Sequence, residues 1–235
     1  MKYTLYYWPI PFRGQFVRAL LRYKGVQFDE ASPMDLRNGA KGADGELEAQ
    51  FMAPPIIYDH DLKVYVPQTP AIINHLARQL GVAPADAASM ASADSCVGNC
   101  NDILNELTLN NGSKMWTQEM FDEFISERFP KWLGIIETVA TRSGLTASSG
   151  FYLGGDSMTQ ADTSVWACFA LMEKALPRLS PLLRSKMPCV MALVDRLSQN
   201  EGLKALSDSQ PTAPYCGGQI EKSLREAVAG CAALN

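Results

Sequence analysis

The residues most suited to chemistry are Tyr6 and Tyr7, in the segment Tyr6-Tyr7-Trp8-Pro9 at the end of the first predicted strand. A tyrosine hydroxyl near the start of a helix can donate a hydrogen bond to an anion, and the helix dipole favours the negative charge. Arg13 opens the next predicted helix and adds positive potential. Because side chains alternate along a strand, at most one of the two tyrosines can face a site. The alternative is an aromatic strand that only packs a core.

At two further segments, backbone groups are the candidates for binding a ligand. Pro54-Pro55 precedes a predicted hairpin, and a cis proline there would leave an open strand edge that can pair with an extended peptide. At the next helix, Thr69 can cap the N-terminus with Pro70 in the first position. The free N–H groups of a helix start bind carboxylates, and Gln68 offers both a donor and an acceptor. A turn proline and simple capping are the purely structural alternatives.

Thr159 and Asp162 form a pattern whose meaning is structural. In Thr159-Gln160-Ala161-Asp162, the threonine caps the helix and the aspartate reaches back to the capping residue. A strongly apolar segment follows. The pattern therefore predicts the start of a buried helix and marks a fold rather than a reaction.

The tyrosines and the two further segments all lie in a region that predicts a small mixed sheet. Helices are predicted over 13–23 and 69–80, from apolar residues on one face, and a loop over 32–50. The predicted strands cover 2–8, 26–30, 56–58 and 62–66. This order of elements builds a sheet with helices on its faces, and we assign it to residues 1–81.

The rest of the chain has a helical pattern after a linker at 82–88. Helices are predicted over the segments 89–109, 115–142, 163–176 and 188–197. Pro130 must kink the second of these or start a new helix within it. We assign residues 89–205 to an all-α domain. Residues 206–235 form a tail with a short helix near 219–229, which could cover a site or pack elsewhere.

Composition excludes several classes of protein. The 235 residues are 47% hydrophobic and 20% charged, which excludes wholesale disorder, and the net charge of −4 argues against nucleic-acid binding. There is no run of 18 apolar residues for a membrane span, and the first eight residues lack the apolar block of a signal peptide. Six cysteines and two histidines form no zinc pattern. We expect a cytoplasmic protein without a metal site.

Together these motifs resemble the cytosolic glutathione transferases of the tyrosine type, the alpha, mu, pi and sigma classes. The segment 3–9 resembles the family's first strand, which places the catalytic hydroxyl on Tyr7. Pro55 resembles the family's cis-proline, and Gln68-Thr69 stands where the family has Gln-Ser. The Thr159–Asp162 box resembles that of the sixth helix. The resemblance implies an α/β plus all-α architecture: an N-terminal thioredoxin-like domain followed by an all-helical C-terminal domain.

The resemblance also implies a set of glutathione-binding residues. They are Tyr7, Trp8, Arg13, Lys41, Pro54, Pro55, Gln68, Thr69 and Asp102. The basic candidates for the glycyl carboxylate are Arg37 and Lys41. Asp102 resembles the acidic residue that reaches the glutathione of the neighbouring subunit. Pro54 departs from the family pattern, because the residue before the cis-proline usually gives both its N–H and its C=O to glutathione, and proline has no N–H. The missing hydrogen bond would cost about 1 kcal/mol.

The implied function is conjugation of the glutathione thiolate to small hydrophobic electrophiles by a homodimer, with glutathione as co-substrate. Met115, Trp116 and Trp166 are candidates to line the electrophile site, with the core as the alternative. A glutathione-dependent isomerase or peroxidase, and a non-catalytic scaffold that keeps the fold, are alternative functions. A thiol-disulfide reductase is opposed by the sequence, because the first 95 residues contain no cysteine. Tyr6 is the alternative thiol activator.

Overall fold

A four-stranded mixed sheet begins the chain in the computed structural model, which describes residues 1–37, 51–210 and 212–234. The strands are β1 (Tyr3–Tyr6), β2 (Asp29–Ala31), β3 (Ile56–Asp59) and β4 (Val64–Pro67), in the order β2-β1-β3-β4. β2 runs parallel to β1, whereas β3 is antiparallel to both β1 and β4. The predicted mixed sheet and its hairpin are confirmed. The second strand begins at Asp29, later than predicted.

Two helices cover one face of the sheet and bury its main core. They are α1 (Gly14–Tyr23) and α3 (Thr69–Gln79), while the short α2 (Pro33–Arg37) follows β2. Tyr3, Leu5 and Tyr7 point from β1 and its end into this main core, whereas Tyr6 points into a smaller cluster on the opposite face. The alternation of a strand therefore separates the two candidate tyrosines, as predicted.

The remaining described residues contain helices and no strand. The helices are α4 (Ala87–Leu107), α5 (Leu109–Gly112), α6 (Gln118–Glu123), α7 (Phe129–Arg142), α8 (Gln160–Ala175), α9 (Ser180–Lys186), α10 (Pro188–Leu197), α11 (Glu201–Ser209) and α12 (Gly218–Gly230). α8 is buried along most of its length and packs against both α1 and α4, so it joins the sheet region to the helical region. None of the helices in the described ranges is long and apolar enough to span a membrane.

Prolines and caps set several helix boundaries. Pro130 stands in the first turn of α7, directly after a π-helical turn at Phe124–Arg128, and the backbone angles stay helical at both ends of that turn, so the long predicted segment continues through a π-helical turn and does not restart. Asp86 caps α4 by accepting the Ser89 N–H at 2.8 Å, and this helix therefore begins inside the predicted linker. α11 continues to Ser209 across the predicted boundary at 205. The division into residues 1–81, 89–205 and 206–235 stays a prediction.

Candidate active site

One row of paired residues brings the predicted site segments to the same end of the sheet. The row consists of Ala31, Tyr6, Ile56 and Pro67. Tyr7 follows the β1 member of this row, Pro55 precedes the β3 member, and Gln68 follows the β4 member. The three segments therefore leave the sheet together, beside the first turns of α1 and α3. Strand ends of this kind commonly hold ligands in α/β folds.

Tyr7 lies against the first turn of α1. The residue is 7% exposed, and a Cβ added to Gly14 would come within 2.8 Å of Tyr7 Cε1, so only glycine leaves room for the ring. Burial raises the pKa of Tyr7, whereas the Arg13 charge and the backbone N–H groups of Arg13 and Gly14 act in the opposite direction. The hydroxyl is thus a neutral donor in a region of positive potential.

Tyr6 has different surroundings on the other face of the sheet. It packs with Ile56 and Tyr58, and its ring centroid lies 6.2 Å from that of Tyr65. Burial, with a smaller contribution from Tyr65, raises the pKa of Tyr6 to about 12. No positive group acts on this hydroxyl among those that shift its pKa, so Tyr7 has the environment better suited to an anion.

Arg18 holds the loop between β1 and α1. Its guanidinium donates to the backbone carbonyls of Ile10 at 2.7 Å and Trp8 at 3.2 Å, and it forms an ion pair with Glu30 at 2.6 Å. Arg18 is 4% exposed, so these bonds satisfy a buried cation. This positioning residue was missed by the sequence analysis, since nothing local distinguishes it from a surface arginine. Trp8 itself is half-buried.

Arg13 bridges the sheet region and the helical region. Its guanidinium donates to Asn101 Oδ1 at 3.1 Å, to Asn105 Oδ1 at 3.5 Å and to Asn111 Oδ1 at 2.5 Å. Burial lowers the pKa of Arg13, with the Tyr7, Tyr215 and Asp102 groups opposing the effect. Arg13 remains a cation, because its ordinary pKa lies far above neutral pH. Sequence analysis predicted Arg13 but none of the three asparagines.

The asparagine nearest to Arg13 belongs to α5, whose four residues form a left-handed turn and not a right-handed α-helix. Leu109, Asn110, Asn111 and Gly112 have φ angles of 44°, 56°, 58° and 80°. Each residue other than glycine costs about 1–2 kcal/mol in this conformation, although asparagine tolerates it best. The Ser113 hydroxyl donates to the Leu109 carbonyl at 2.8 Å, and Asn105 Nδ2 donates to Asn110 Oδ1 at 2.8 Å. Strain of this kind is often found at functional sites.

Pro55 has the cis peptide bond that the resemblance implied. The Pro54–Pro55 peptide bond is cis, Pro54 is half-buried, and Pro55 is buried. Gln68 is exposed and has φ 74° and ψ 118°, another strained conformation beside the site. Thr69, the next residue, is buried.

The predicted cap of α3 was wrong by one residue. Gln68 is the capping residue, because its carbonyl accepts the Ile72 N–H at 2.9 Å and its backbone is not helical. Thr69 is therefore the first residue of α3, and Pro70 the second. No side chain makes a capping hydrogen bond at this helix start, which leaves N–H groups available for a ligand.

The roles of Asp102 and Lys41 stay predictions. Asp102 lies exposed on α4 next to Asn101, close enough to Arg13 to attract its charge. Lys41, one of the two candidates for the glycyl carboxylate, lies outside the described residues.

The C-terminal segment packs over the loop that follows β1. Tyr215 is 2% exposed, and its ring meets that of Phe12 edge-on with centroids 5.5 Å apart. Arg13 and Tyr7 both affect its pKa, which burial raises, so the segment reaches the site. Of the two positions that the sequence allowed for the tail, this contact places it beside the site.

The three residues predicted to line the electrophile site have different surroundings. Trp166 is fully buried and donates its indole N–H to Ser198 Oγ at 2.9 Å, so it belongs to the core. Trp116 is half-buried, donates to the Leu107 carbonyl at 2.9 Å and packs against aromatic residues of α6 and the π-helical turn. Met115 is exposed.

The capping box at the start of α8 is present. The Asp162 carboxylate accepts the Thr159 N–H at 2.8 Å and the Thr159 hydroxyl at 3.0 Å, and it also accepts the Tyr152 N–H at 2.7 Å. Burial raises the pKa of Asp162. As predicted, these residues hold a helix start. Within residues 1–37, 51–210 and 212–234, no group of three or more His, Cys, Asp or Glu side chains could hold a metal ion.

Comparison with known proteins decides the family. Residues 93–227, more than half of the chain, match the family described as "Glutathione S-transferase, C-terminal domain". The chain belongs to the glutathione S-transferase family. The resemblance stated from the motifs is confirmed at this level, and so is the implied fold of a thioredoxin-like domain followed by a helical domain.

Relatives and solved structures agree with this assignment. The chain is 29% identical over 208 residues to "Glutathione S-transferase" of Dirofilaria immitis, covering 87% of this chain and 91% of the relative. It is 28% identical to "Glutathione S-transferase P 2" of Bufo bufo, covering 88% and 93%. The solved Pi-class glutathione S-transferase of Onchocerca volvulus has the same fold, with a TM-score of 0.71 at 21% identity over 93% of this chain and 98% of that one.

Proposed function

We propose that this family member conjugates the thiolate of glutathione to small hydrophobic electrophiles, with Tyr7 as the residue that activates the thiol. The observation that carries the proposal is the position of Tyr7. Its hydroxyl lies beside the first N–H groups of α1 and the Arg13 charge, at the sheet end where cis-Pro55 and Gln68 also lie. An anion near this hydroxyl gains a hydrogen bond and a favourable potential.

The chemistry requires the thiol to lose its proton. An ordinary thiol has a pKa near 8.5 and is mostly protonated at pH 7, whereas the thiolate is the nucleophile. Because burial raises the pKa of Tyr7, its phenol stays protonated and donates its hydrogen bond to the sulfur. This bond favours the thiolate, and each unit by which the thiol pKa falls corresponds to about 1.36 kcal/mol. The proton leaves to solvent, and the thiolate attacks the electrophile: with an aryl halide, a C–S bond forms, the carbon–halogen bond breaks and the halide ion leaves to solvent.

Other residues would hold the rest of the tripeptide. The free N–H groups at the start of α3, beside Gln68 and Thr69, suit the carboxylate of the γ-glutamyl end. Pro54 can accept a hydrogen bond from the cysteinyl N–H through its carbonyl. Trp8 would contact the tripeptide beside Tyr7, and Lys41 or Arg37 would hold the glycyl carboxylate. Asp102 of a second copy would bind the γ-glutamyl ammonium group, which requires the homodimer.

We also assign the protein to a tyrosine-type class and to the cytoplasm. The names of the relatives support a pi-like class, since two of them are called P 2 and Pi-class. Light scattering coupled to size exclusion chromatography tests the homodimer. A monomer at micromolar concentration would remove the role given to Asp102.

The decisive experiment combines retention on immobilised glutathione with an assay using an aryl halide. Tyr7→Phe should retain binding but lose about one to two orders of magnitude in kcat at pH 6.5, the loss expected if the thiol pKa rises by one to two units. Tyr6→Phe is the matched control and should stay close to the parent. Unchanged turnover in Tyr7→Phe would remove Tyr7 from the reaction. Binding without turnover in the parent would favour a scaffold, whereas activity only with a hydroperoxide or an isomerisable substrate would favour a peroxidase or an isomerase.

A further inference from the structure

The Arg13 guanidinium is surrounded by neutral amide oxygens instead of carboxylates. Asn101 and Asn105 approach it from α4, and Asn111 approaches it from the left-handed turn. In the described ranges, Arg13 forms no ion pair with any carboxylate. Amide oxygens can satisfy the N–H donors of a guanidinium without cancelling its charge, because they carry only partial charges.

The other titratable groups that face Arg13 leave its charge in place. Tyr7 faces it from the end of β1, and Tyr215 and Cys216 face it from the C-terminal segment. Burial raises the pKa of Tyr215 well above its ordinary value and that of Cys216 to about 12, so both are neutral at physiological pH. Asp102 on α4 is the carboxylate of this set; it is exposed and makes no hydrogen bond with Arg13.

The chain adopts a strained conformation to present Asn111. Three residues in succession before Gly112, including Leu109, have left-handed backbones, and the Arg13–Asn111 hydrogen bond is the shortest of the three that hold the guanidinium. Asn110 accepts from Asn105 Nδ2, which turns the Asn105 oxygen toward Arg13. Both asparagines of the turn therefore serve the same cation, one directly and one through its neighbour.

We propose that Asn101, Asn105 and Asn111 are positioning residues that hold Arg13 beside Tyr7 as a cation without a counterion, so that its positive potential lowers the thiol pKa of bound glutathione. The inference rests on the proposed function, because it concerns the same reaction. What it adds is that the three side chains that accept hydrogen bonds from Arg13 must be uncharged. A carboxylate at any of these positions would hold Arg13 as well or better but would cancel its field at the sulfur.

Asn111→Asp separates these two effects. Aspartate has nearly the same shape and also tolerates a left-handed backbone, so the turn should persist. The thiolate absorbance of the glutathione complex is titrated against pH, and kcat is measured over the same range with an aryl halide. We expect the apparent thiol pKa to rise by about half a unit, which lowers kcat about threefold well below that pKa and leaves the high-pH plateau unchanged.

Two further variants test positioning and exclude a general effect of the turn. Asn111→Gly keeps the left-handed turn but removes the amide, so Arg13 loses its shortest hydrogen bond and kcat/KM should fall by about threefold to tenfold. Ser113→Ala removes a hydrogen bond of the same turn that does not involve Arg13, and it should match the parent in both thiol pKa and kcat. Asn101→Asp repeats the charge test from α4 if Asn111→Asp fails to fold.

The outcomes distinguish this inference from the proposed function. A raised thiol pKa in the Asp variants, with Ser113→Ala unchanged, supports the amide arrangement. An unchanged thiol pKa in both Asp variants overturns the amide arrangement, and so does a thiol pKa shift of equal size in Ser113→Ala. Either result would leave the proposed function standing if Tyr7→Phe has lost its turnover. If the parent binds no glutathione or conjugates no electrophile, the proposed function itself fails.

Discussion

The ring of Tyr7 rests on the backbone of Gly14, close enough that no side chain fits between them. The contact joins the end of β1 to the first turn of α1. It places the phenol beside the N–H groups that make a helix start attractive to anions. A glycine is therefore required at position 14 because the Tyr7 ring lies too close for a side chain, and not because of a turn in the backbone.

Gly14→Ala should consequently displace Tyr7. The new Cβ would overlap the ring, so we expect a loss of about 1–3 kcal/mol in the free energy of unfolding and a clear fall in kcat. Gly134→Ala in α7 is the matched control, since a Cβ there meets nothing within 4 Å and alanine favours a helix. Chemical denaturation and the aryl halide assay measure both effects. Equal behaviour of the two variants would show that the Tyr7 ring can move without cost.

A second prediction concerns the ion pair that holds the loop before α1. Arg18 is buried, so Arg18→Gln leaves two backbone carbonyls and Glu30 without their donor groups, and we expect a loss of about 2–3 kcal/mol in the free energy of unfolding. The loop carries Trp8 and leads to Arg13, so kcat/KM should also fall.

Arg128→Gln provides the comparison for this prediction. Its pair with Glu106 has the same 2.6 Å separation, but Arg128 is 64% exposed, so the expected loss is within about 0.5 kcal/mol. Comparable losses in the two variants, measured by urea denaturation, would contradict the importance given to burial.

Local sequence patterns predicted the elements that position the site. The predicted helices over 13–23, 69–80 and 188–197 lie within one residue of the observed ones, because apolar spacing and a following glycine or preceding proline mark their ends. The hairpin was equally clear. The strand β2 was placed too early, since its exposed residues show no alternation and its position depends on pairing with β1.

Contacts between distant segments could not be read from the sequence. Arg13 and its asparagines are separated by 88 to 98 residues, and no local pattern connects them. Arg18 looks like a surface residue, but α1 is covered by α3, α8 and α11, so even its polar face is buried. The left-handed turn after α4 has no periodicity at all. Packing between elements determines these features.

A third prediction concerns the capping box. Asp162→Ala removes the acceptor for Thr159 and for the Tyr152 N–H in a buried setting, so we expect a loss of about 2–4 kcal/mol in the free energy of unfolding. Asp156→Ala, nearby and exposed, should change stability by less than about 0.5 kcal/mol. Activity per folded molecule should stay the same in both. A fall in kcat for folded Asp162→Ala would give this residue a role beyond structure.

The last prediction links stability to pH through Glu221, the residue that anchors the segment carrying Tyr215. Its carboxylate accepts the N–H groups of Tyr215 at 2.7 Å, Cys216 at 3.1 Å and Gly217 at 2.7 Å, and it pairs with Arg225 at 2.8 Å. Burial alone would raise the pKa of Glu221, but these bonds outweigh it and hold the pKa below its ordinary value.

The sign of the pH effect follows from that depressed pKa. The unfolded chain binds a proton more readily at this residue than the folded chain, so the carboxylate contributes stability above the ordinary glutamate pKa and loses it as the pH falls through the folded value. Glu221→Gln should therefore be less stable than the parent at pH 7, and the difference should shrink between about pH 5 and pH 3. Glu226→Gln, with its exposed partner Lys222 at 4.0 Å, should follow the parent curve throughout. A stability gap for Glu221→Gln that stays constant over this range would mean that the carboxylate acts through shape and not through its charge.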